Sequence, residues 1–231
     1  MASLSGADER VAVVVGAGEV GAATAALLAA AGFTVVAVDR SSKMLDELPE
    51  GIRREAGDTT DQAVAKALID RIAAEVGPPE VLVNTIGGFL LGEAVNVTPE
   101  DLRVMMDVNL GAALWLTQAV EPYMRQRGSG AIVHVSARPG TDPTAGMAAY
   151  GLSKAALSHL VRILDLELRP HGIRVNAVAP QLIDTSRNRT LFPPDVLAHA
   201  VSPESVAEII AFLASDRSAP VSGAVMPAYG A

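Results

Sequence analysis

Val11-Ala-Val-Val-Val15-Gly16-Ala-Gly18-Glu19-Val20-Gly21 is the stretch whose reading decides the fold. Its first five residues form the continuous apolar, β-branched run of a strand buried on both faces. The glycines follow at once. An Ala-rich helix runs from them to a stop at Gly32, and Phe33-Thr-Val-Val-Ala-Val38 reads as a second strand ending at Asp39. Strand, glycine turn, helix and strand within about 30 residues make the βαβ unit that holds dinucleotides. Gly16 permits the tight turn, Gly18 lets backbone approach a pyrophosphate, and Gly21 lets the helix sit close to the strand. The helix start offers free N–H groups and a positive dipole end to phosphate. Gly16, Gly18, Glu19, Val20 and Gly21 are therefore candidate cofactor contacts. Asp39 can accept both ribose hydroxyls of NAD(H) and repels a 2′-phosphate, so NAD(H) is favoured. Arg40 leaves NADP(H) open, because an Arg there can bind that phosphate. It can equally be a solvated charge at a strand end.

The pattern repeats outward. Ile52–Asp58 reads as a short third strand, Asp61–Val76 as a helix, and Glu80–Asn84 as a fourth strand followed by Thr85-Ile-Gly87-Gly88. Thr98 as N-cap and Pro99 at the first position start a helix that is expected to continue to about Gln126. Ala131–Ser136 is a fifth strand and Gly172–Ala179 a sixth, with a helix to about Arg169 between them. Ser202 and Pro203 begin a last helix, and a short strand near Gly223–Met226 closes the sheet. Strands alternating with helices predict an α/β fold: one doubly wound, mainly parallel, Rossmann-like sheet with helices on both faces. We read residues 1–231 as a single domain, with a polar, Pro-marked substrate loop at about 181–200 that is long enough to be a lid.

Composition excludes several classes. Half of the 231 residues are apolar, so a sizeable core is available. Net charge is −8 with no basic run, which argues against nucleic acid and against an anionic membrane surface. There is no Cys, hence no disulfide framework or thiolate metal site, and no two His stand at metal-ligand spacing; no metal is expected. Met1–Arg10 lacks the pattern of a signal peptide, and Ala22–Ala31 is too short to span a bilayer, so a cytoplasmic location is expected.

Tyr150 and Lys154 stand four residues apart in Met147-Ala-Ala-Tyr150-Gly-Leu-Ser-Lys154. On a helix they share one face, about 5–6 Å apart at Cβ. An ammonium there favours the phenolate and lowers a Tyr pKa from about 10, making Tyr150 a candidate proton donor.

Gly16 to Gly21, Asn84, Asn109, Tyr150-x-x-x-Lys154 and Asn176-Ala-Val-Ala-Pro180, in this order and spacing, resemble the short-chain dehydrogenase/reductase family across essentially the whole chain. The likeness is partial at Asn84-Thr-Ile-Gly87, and the glycine turn is one residue shorter than the family's. The resemblance implies that Tyr150 transfers a proton, that Lys154 lowers its pKa and holds the nicotinamide ribose, and that Asn109 supports a water relay behind Lys154. It also implies that Asp58 caps the adenine, that Asn84 and Gly87 lie along the cofactor, and that Ile183 and Thr185 hold the carboxamide. A homodimer or homotetramer through two long helices is implied too.

The family's serine stands thirteen residues before the Tyr; here that position is Ala137. Adjacent Ser136 could replace it only if the strand end bulges or twists, because neighbours on a strand face opposite sides. A hydroxyl aimed at a developing oxyanion is worth about 3–4 kcal/mol. Its loss fits a narrower resemblance to dihydropteridine reductases, carried by the shortened glycine turn, Gly87-Gly88-Phe89, Ala137-Arg138, Gly146-Met147-x-x-Tyr150 and Asp184-Thr185-x-x-Asn188-Arg189. An electron-poor, conjugated substrate accepts hydride without strong carbonyl polarisation. The expected function is NAD(P)H-dependent hydride transfer to a small conjugated or cyclic molecule with Tyr150 as proton donor. A 3-oxoacyl or simple ketone reductase and a catalytically silent NAD(H)-binding protein are the alternatives.

Several residues carry plainer readings. Asn109 could satisfy backbone within a bent helix. His134, His159 and His171 suit packing, while His199 in the loop is undetermined. Asp184, Arg187, Asn188 and Arg189 are either a solvated loop or part of the site. Trp115, Met105 and Met106 suit core or subunit interface.

Overall fold

The computed structural model describes residues 10–230, so segment 1–9, where most of the signal-peptide reading falls, lies outside the described residues. Seven strands form one sheet in the order β3-β2-β1-β4-β5-β6-β7, every neighbouring pair parallel. They are β1 (Val11–Val15), β2 (Thr34–Asp39), β3 (Arg53–Ala56), β4 (Pro79–Asn84), β5 (Gly130–Val135), β6 (Ile173–Pro180) and β7 (Val225–Ala228). The expectation of a mainly parallel, doubly wound sheet holds, and the closing strand too is parallel.

Pleating sorts the strands' side chains onto two cores. Ala12 and Val14 of β1 face a layer built by α1 (Glu19–Ala30) and α9 (Pro203–Ala214), including Leu28, Ile210 and Leu213. Val11, Val13 and Val15 face the other layer, built by α3 (Gln62–Glu75), α5 (Ala112–Arg127) and α6 (Ala148–Leu168), with Ile69, Leu116 and Val161. All five β1 residues are fully buried, as the unbroken apolar run demands.

Local chemistry sets the helix starts. Asp61 caps α3 by accepting from Val64 N at 3.0 Å, and Ser202 caps α9 by accepting from Ser205 N at 3.1 Å. Thr98 and Asp101 form a reciprocal capping box at α4 (Pro99–Met106). The elements differ from the expectation in several places. A short helix, α2 (Ser42–Asp46), follows β2. The long helix expected after Thr98 is interrupted by a π-turn at Asp107–Gly111, between α4 and α5. Loop 181–200 contains α7 (Ser186–Leu191) and α8 (Pro194–Leu197). Among the described residues no helix is long and apolar enough to cross a membrane.

Candidate active site

The glycine turn leaves β1 with Gly16 at φ +98°, a conformation open to glycine at little cost. A Cβ on Gly21 would lie 1.7 Å from the Gly16 carbonyl oxygen, so α1 starts only because position 21 has no side chain. Thr85 supports the turn from β4 by donating to the carbonyls of Val15 and Gly16 at 3.0 and 3.2 Å. A Cβ on Gly18 would meet nothing nearer than Met44 at 3.9 Å, which leaves its backbone open on the side where a phosphate would lie.

Gly18, Glu19, Asp39, Arg40, Asp58, Thr185 and Arg187 line a groove of about 800 Å³, the size and position a dinucleotide requires. Asp39 is oriented by two backbone donors, Ala17 N to Oδ2 and Ser41 N to Oδ1, each at 2.8 Å. Arg40 is largely exposed and lies 3.9 Å from Asp58. The Thr60 hydroxyl, backbone N–H and the Arg40 charge hold the Asp58 carboxyl below its usual range.

A second cleft, about 510 Å³, opens beside this groove, and the two share Thr85, Gly87, Gly88 and Phe89 in their walls. Tyr150 and Lys154 lie here, one turn apart on α6. The Tyr150 ring meets Phe89 edge-on at 5.0 Å, and its hydroxyl bonds to none of the described residues. Lys154 is 3% exposed and donates to the Val135 carbonyl at 2.8 Å. The expected lowering of the phenol pKa by Lys154 is not met. Burial pushes Tyr150 up to about 12 and Lys154 down to about 7.

Asn109 sits in the π-turn, fully buried. Its Oδ1 accepts from Gly88 N at 2.9 Å, and its Nδ2 donates to Gly88 O at 3.1 Å and to Ser153 Oγ at 2.9 Å. It therefore ties the Gly87-Gly88 turn to the Tyr150 helix instead of serving its own helix backbone. π-turns inside α-helices are frequent at functional sites, and this one aims a side chain that a regular helix would place elsewhere.

Ser136 is the main correction among the candidate residues. The strand end does not bulge: Ser136 N stays on the Val178 carbonyl at 2.7 Å, and Ala137 remains extended. The Ser136 hydroxyl packs onto α6, 3.2 Å from the Lys154 carbonyl and 2.7 Å from Ser158 Oγ. Ser136 thus lines the cleft with its hydroxyl turned to α6, and Ala137 presents only a methyl group there.

A family model described as short chain dehydrogenase matches residues 10–195. The chain belongs to that family.

This short-chain dehydrogenase is similar over nearly its full length to proteins of several activities. A 3-oxoacyl-[acyl-carrier-protein] reductase of Thermotoga maritima is 35% identical over 236 residues, covering 95% of this chain and 96% of its own. An L-xylulose reductase of Mesocricetus auratus is 36% identical over 237 residues, covering 96% and 95%. Among solved structures, a variant of actinorhodin polyketide ketoreductase with NADPH superposes with a TM-score of 0.90 at 26% identity, over 96% of this chain and 97% of that one. The likeness is to the family broadly and not specifically to its dihydropteridine reductases.

The remaining sequence candidates of the dehydrogenase fall as follows. Asn84 is buried at the end of β4 and accepts from Ile86 N at 3.0 Å, shaping the turn into Gly87. Ile183 lines the 510 Å³ cleft and Thr185 the 800 Å³ groove, so the two straddle the cavities. Thr185 also caps α7. Asp184 and Arg189 pair with each other at 2.7 Å inside the loop, while Arg187 lines the groove. Glu19 does more than line the groove, since its Oε1 accepts from Ser186 N at 2.7 Å and fastens the loop to the glycine turn. His134 is fully buried on β5, and burial pushes it down to about 3, which keeps it neutral.

The sequence reading missed three groups. Phe89 and Phe192, 6.0 Å apart, form an aromatic wall beside Tyr150, although Phe89 had been noted only as part of a motif. Met105 lines the 800 Å³ groove as well as being buried. Arg138, quoted above only as part of a motif, and His199 enter the 510 Å³ cleft from separate segments, the turn after β5 and loop 181–200.

Proposed function

We propose that this short-chain dehydrogenase transfers hydride between a nicotinamide dinucleotide, NAD(H) by preference, and a small conjugated or cyclic substrate, with Tyr150 as the proton donor. The observation that carries this reading is the unshared Tyr150 hydroxyl in a cleft where Ala137 and Ser136 supply no second donor. A substrate that is already electron-poor suits a site that has no hydroxyl at position 137. The Phe89–Phe192 wall suits a flat ring.

Gly18 and the start of α1 would receive the pyrophosphate, Asp39 the adenosine ribose, Asp58 the adenine edge, and Ile183 and Thr185 the carboxamide. The dinucleotide supplies or takes up the hydride. Tyr150, held neutral by burial, donates its proton to the substrate atom that gains charge. Lys154, whose proton is labile near neutral pH, supports the phenolate left behind. Asn109 holds the loop and helix that frame this pair, where the resemblance places a water relay.

Leu152, Ile163 and Leu166 are exposed apolar residues on α6, which supports a homodimer or homotetramer through the long helices; light scattering at micromolar concentration tests it. The absence of Cys suits a cytosolic setting. The functional reading is tested by following cofactor oxidation over quinonoid dihydropterin, quinones and small ketones, with NADH and NADPH in parallel. Turnover of the conjugated acceptors well above the ketones supports it; no turnover of any acceptor sinks it.

A second reading, a 3-oxoacyl or simple ketone reductase, is favoured by the similarity to the Thermotoga maritima reductase. Ala137→Ser discriminates. A gain of about 10²-fold or more on simple ketones means that the native site is not built for them. No gain supports the second reading.

A further inference from the structure

We infer that Arg138 is a substrate-binding residue that holds a carboxylate, so that the molecule taken by this cleft is a small anionic one. The inference rests on the proposed function only in that this ligand is also the molecule reduced or oxidised.

Arg138 begins the short turn Arg138–Gly140 directly after Ala137. That turn lies against the start of α6. A Cβ on Gly140 would come within 2.6 Å of the Lys154 carbonyl carbon, and one on Gly151 would lie 3.1 Å from Pro139 O. The guanidinium is thus carried on backbone packed against the helix that holds Tyr150 and Lys154, and it lines their cleft.

Its orientation is fixed from three sides. Nη1 donates to Gln181 Oε1 at 2.7 Å, Nε donates to Asp142 Oδ2 at 3.3 Å, and the group lies 4.8 Å from the centre of the Tyr229 ring. Tyr229 is itself held, with its hydroxyl 3.0 Å from Thr141 Oγ1. A guanidinium has five N–H donors in a rigid fork. Two are used here, and the other three have no partner among the described residues. A fork whose position is set, and which keeps both Nη2 hydrogens and one Nη1 hydrogen unshared, matches the planar, bidentate geometry of a carboxylate.

The rest of the cleft sharpens the choice. Phe89, Pro143, Met147, Leu182, Phe192 and Val196 make much of its wall apolar. An anion placed among them without a partner would be costly. Of the other charged groups, Asp142 is paired through Nε, and Lys154 points to the Val135 carbonyl. His199 is the remaining titratable group on the wall besides Tyr150. A volume of about 510 Å³ takes a ring with one carboxylate.

Calorimetric titration of the full-length protein, with and without NADH, tests the inference using cyclohexanecarboxylate and cyclohexanecarboxamide as matched probes. The carboxylate should bind at least about tenfold more tightly, within what one bidentate charged pair supports. Arg138→Gln should bring the two within about threefold of each other and leave the carboxamide unchanged, whereas Arg138→Lys should retain part of the preference. Equal binding by the wild-type protein, no carboxylate binding at millimolar concentration, or a preference that survives Arg138→Gln would overturn it. Failure of the functional reading shows separately, as a lack of cofactor oxidation with every acceptor while the carboxylate preference stands.

Discussion

Lys154 on α6 donates a 2.8 Å hydrogen bond to the carbonyl of Val135 at the end of β5. This bond fixes the ammonium beside the position where the strand passes from sheet into active site. It also buries the group. Gly87 leaves the room for it: a Cβ there would lie 3.1 Å from both Lys154 Nζ and Asn109 Oδ1.

Gly87→Ala should therefore misplace the two polar groups together. Contacts of 3.1 Å force a shift of a few tenths of an ångström, and small displacements of catalytic groups are expensive in rate. We expect kcat to fall by about tenfold or more while the melting temperature drops by only about 2–4 °C, the equivalent of roughly 1 kcal/mol. Steady-state kinetics and a thermal melt on the same preparation check this. Unchanged kcat would show that the close approach is irrelevant to catalysis.

Lys154→Met should stabilise the protein while removing activity. The folded-state pKa of Lys154 is about 7, against an ordinary value of 10.5. Between these values the unfolded chain binds the extra proton, so stability rises with pH across this window, and the cost of burying the charge is complete below about pH 7. The gain from Lys154→Met should accordingly be largest at pH 6–7, on the order of 1–2 kcal/mol or about 3–8 °C, and fade towards pH 10. Melting curves at pH 6, 8 and 10 decide it. A destabilised variant at pH 7 would mean that the hydrogen bond to Val135 outweighs desolvation.

Asp39, held by the backbone of Ala17 and Ser41, presents a carboxylate at the end of β2. With Arg40 left in place, Asp39→Ser should lower kcat/KM for NADH and raise that for NADPH, shifting their ratio by about tenfold or more, equivalent to roughly 1.4 kcal/mol. An unchanged ratio, or a wild-type protein that already prefers NADPH, would remove Asp39 from its assigned role.

The sequence made the sheet legible because burial writes itself into composition. The unbroken run Val11–Val15 is buried on both faces, and the glycines at 16 and 21 occupy positions where a side chain is strained or sterically excluded. Helix starts were legible where a side chain caps them, as at Asp61, Thr98 and Ser202. The π-turn at Asp107–Gly111 was not, because propensity does not distinguish an i→i+5 bond from its neighbours; a mid-helix Asn109 was the only trace. The loop helices were hidden by their polarity, although Thr185 and Pro193-Pro194 hold ordinary start signals.

The site was legible as a residue set and less so as electrostatics. Tyr150, Lys154, Asn109 and the glycine turn gather around the two adjoining cavities. The i,i+4 spacing suggested a lowered phenol pKa, but spacing carries no information on burial, which dominates here. Arg138 and His199 reach the cleft through long-range packing, which no local window contains.

The proposed reaction takes its proton from Tyr150. Single-turnover hydride transfer measured for wild type and Tyr150→Phe, on whichever acceptor the screen identifies, tests it most directly. The phenyl ring preserves the 5.0 Å contact with Phe89 and removes only the hydroxyl. We predict a fall of about 10²-fold or more in the rate of the chemical step, the contribution of a positioned general acid, with little change in cofactor binding. A wild-type rate in Tyr150→Phe would contradict the account.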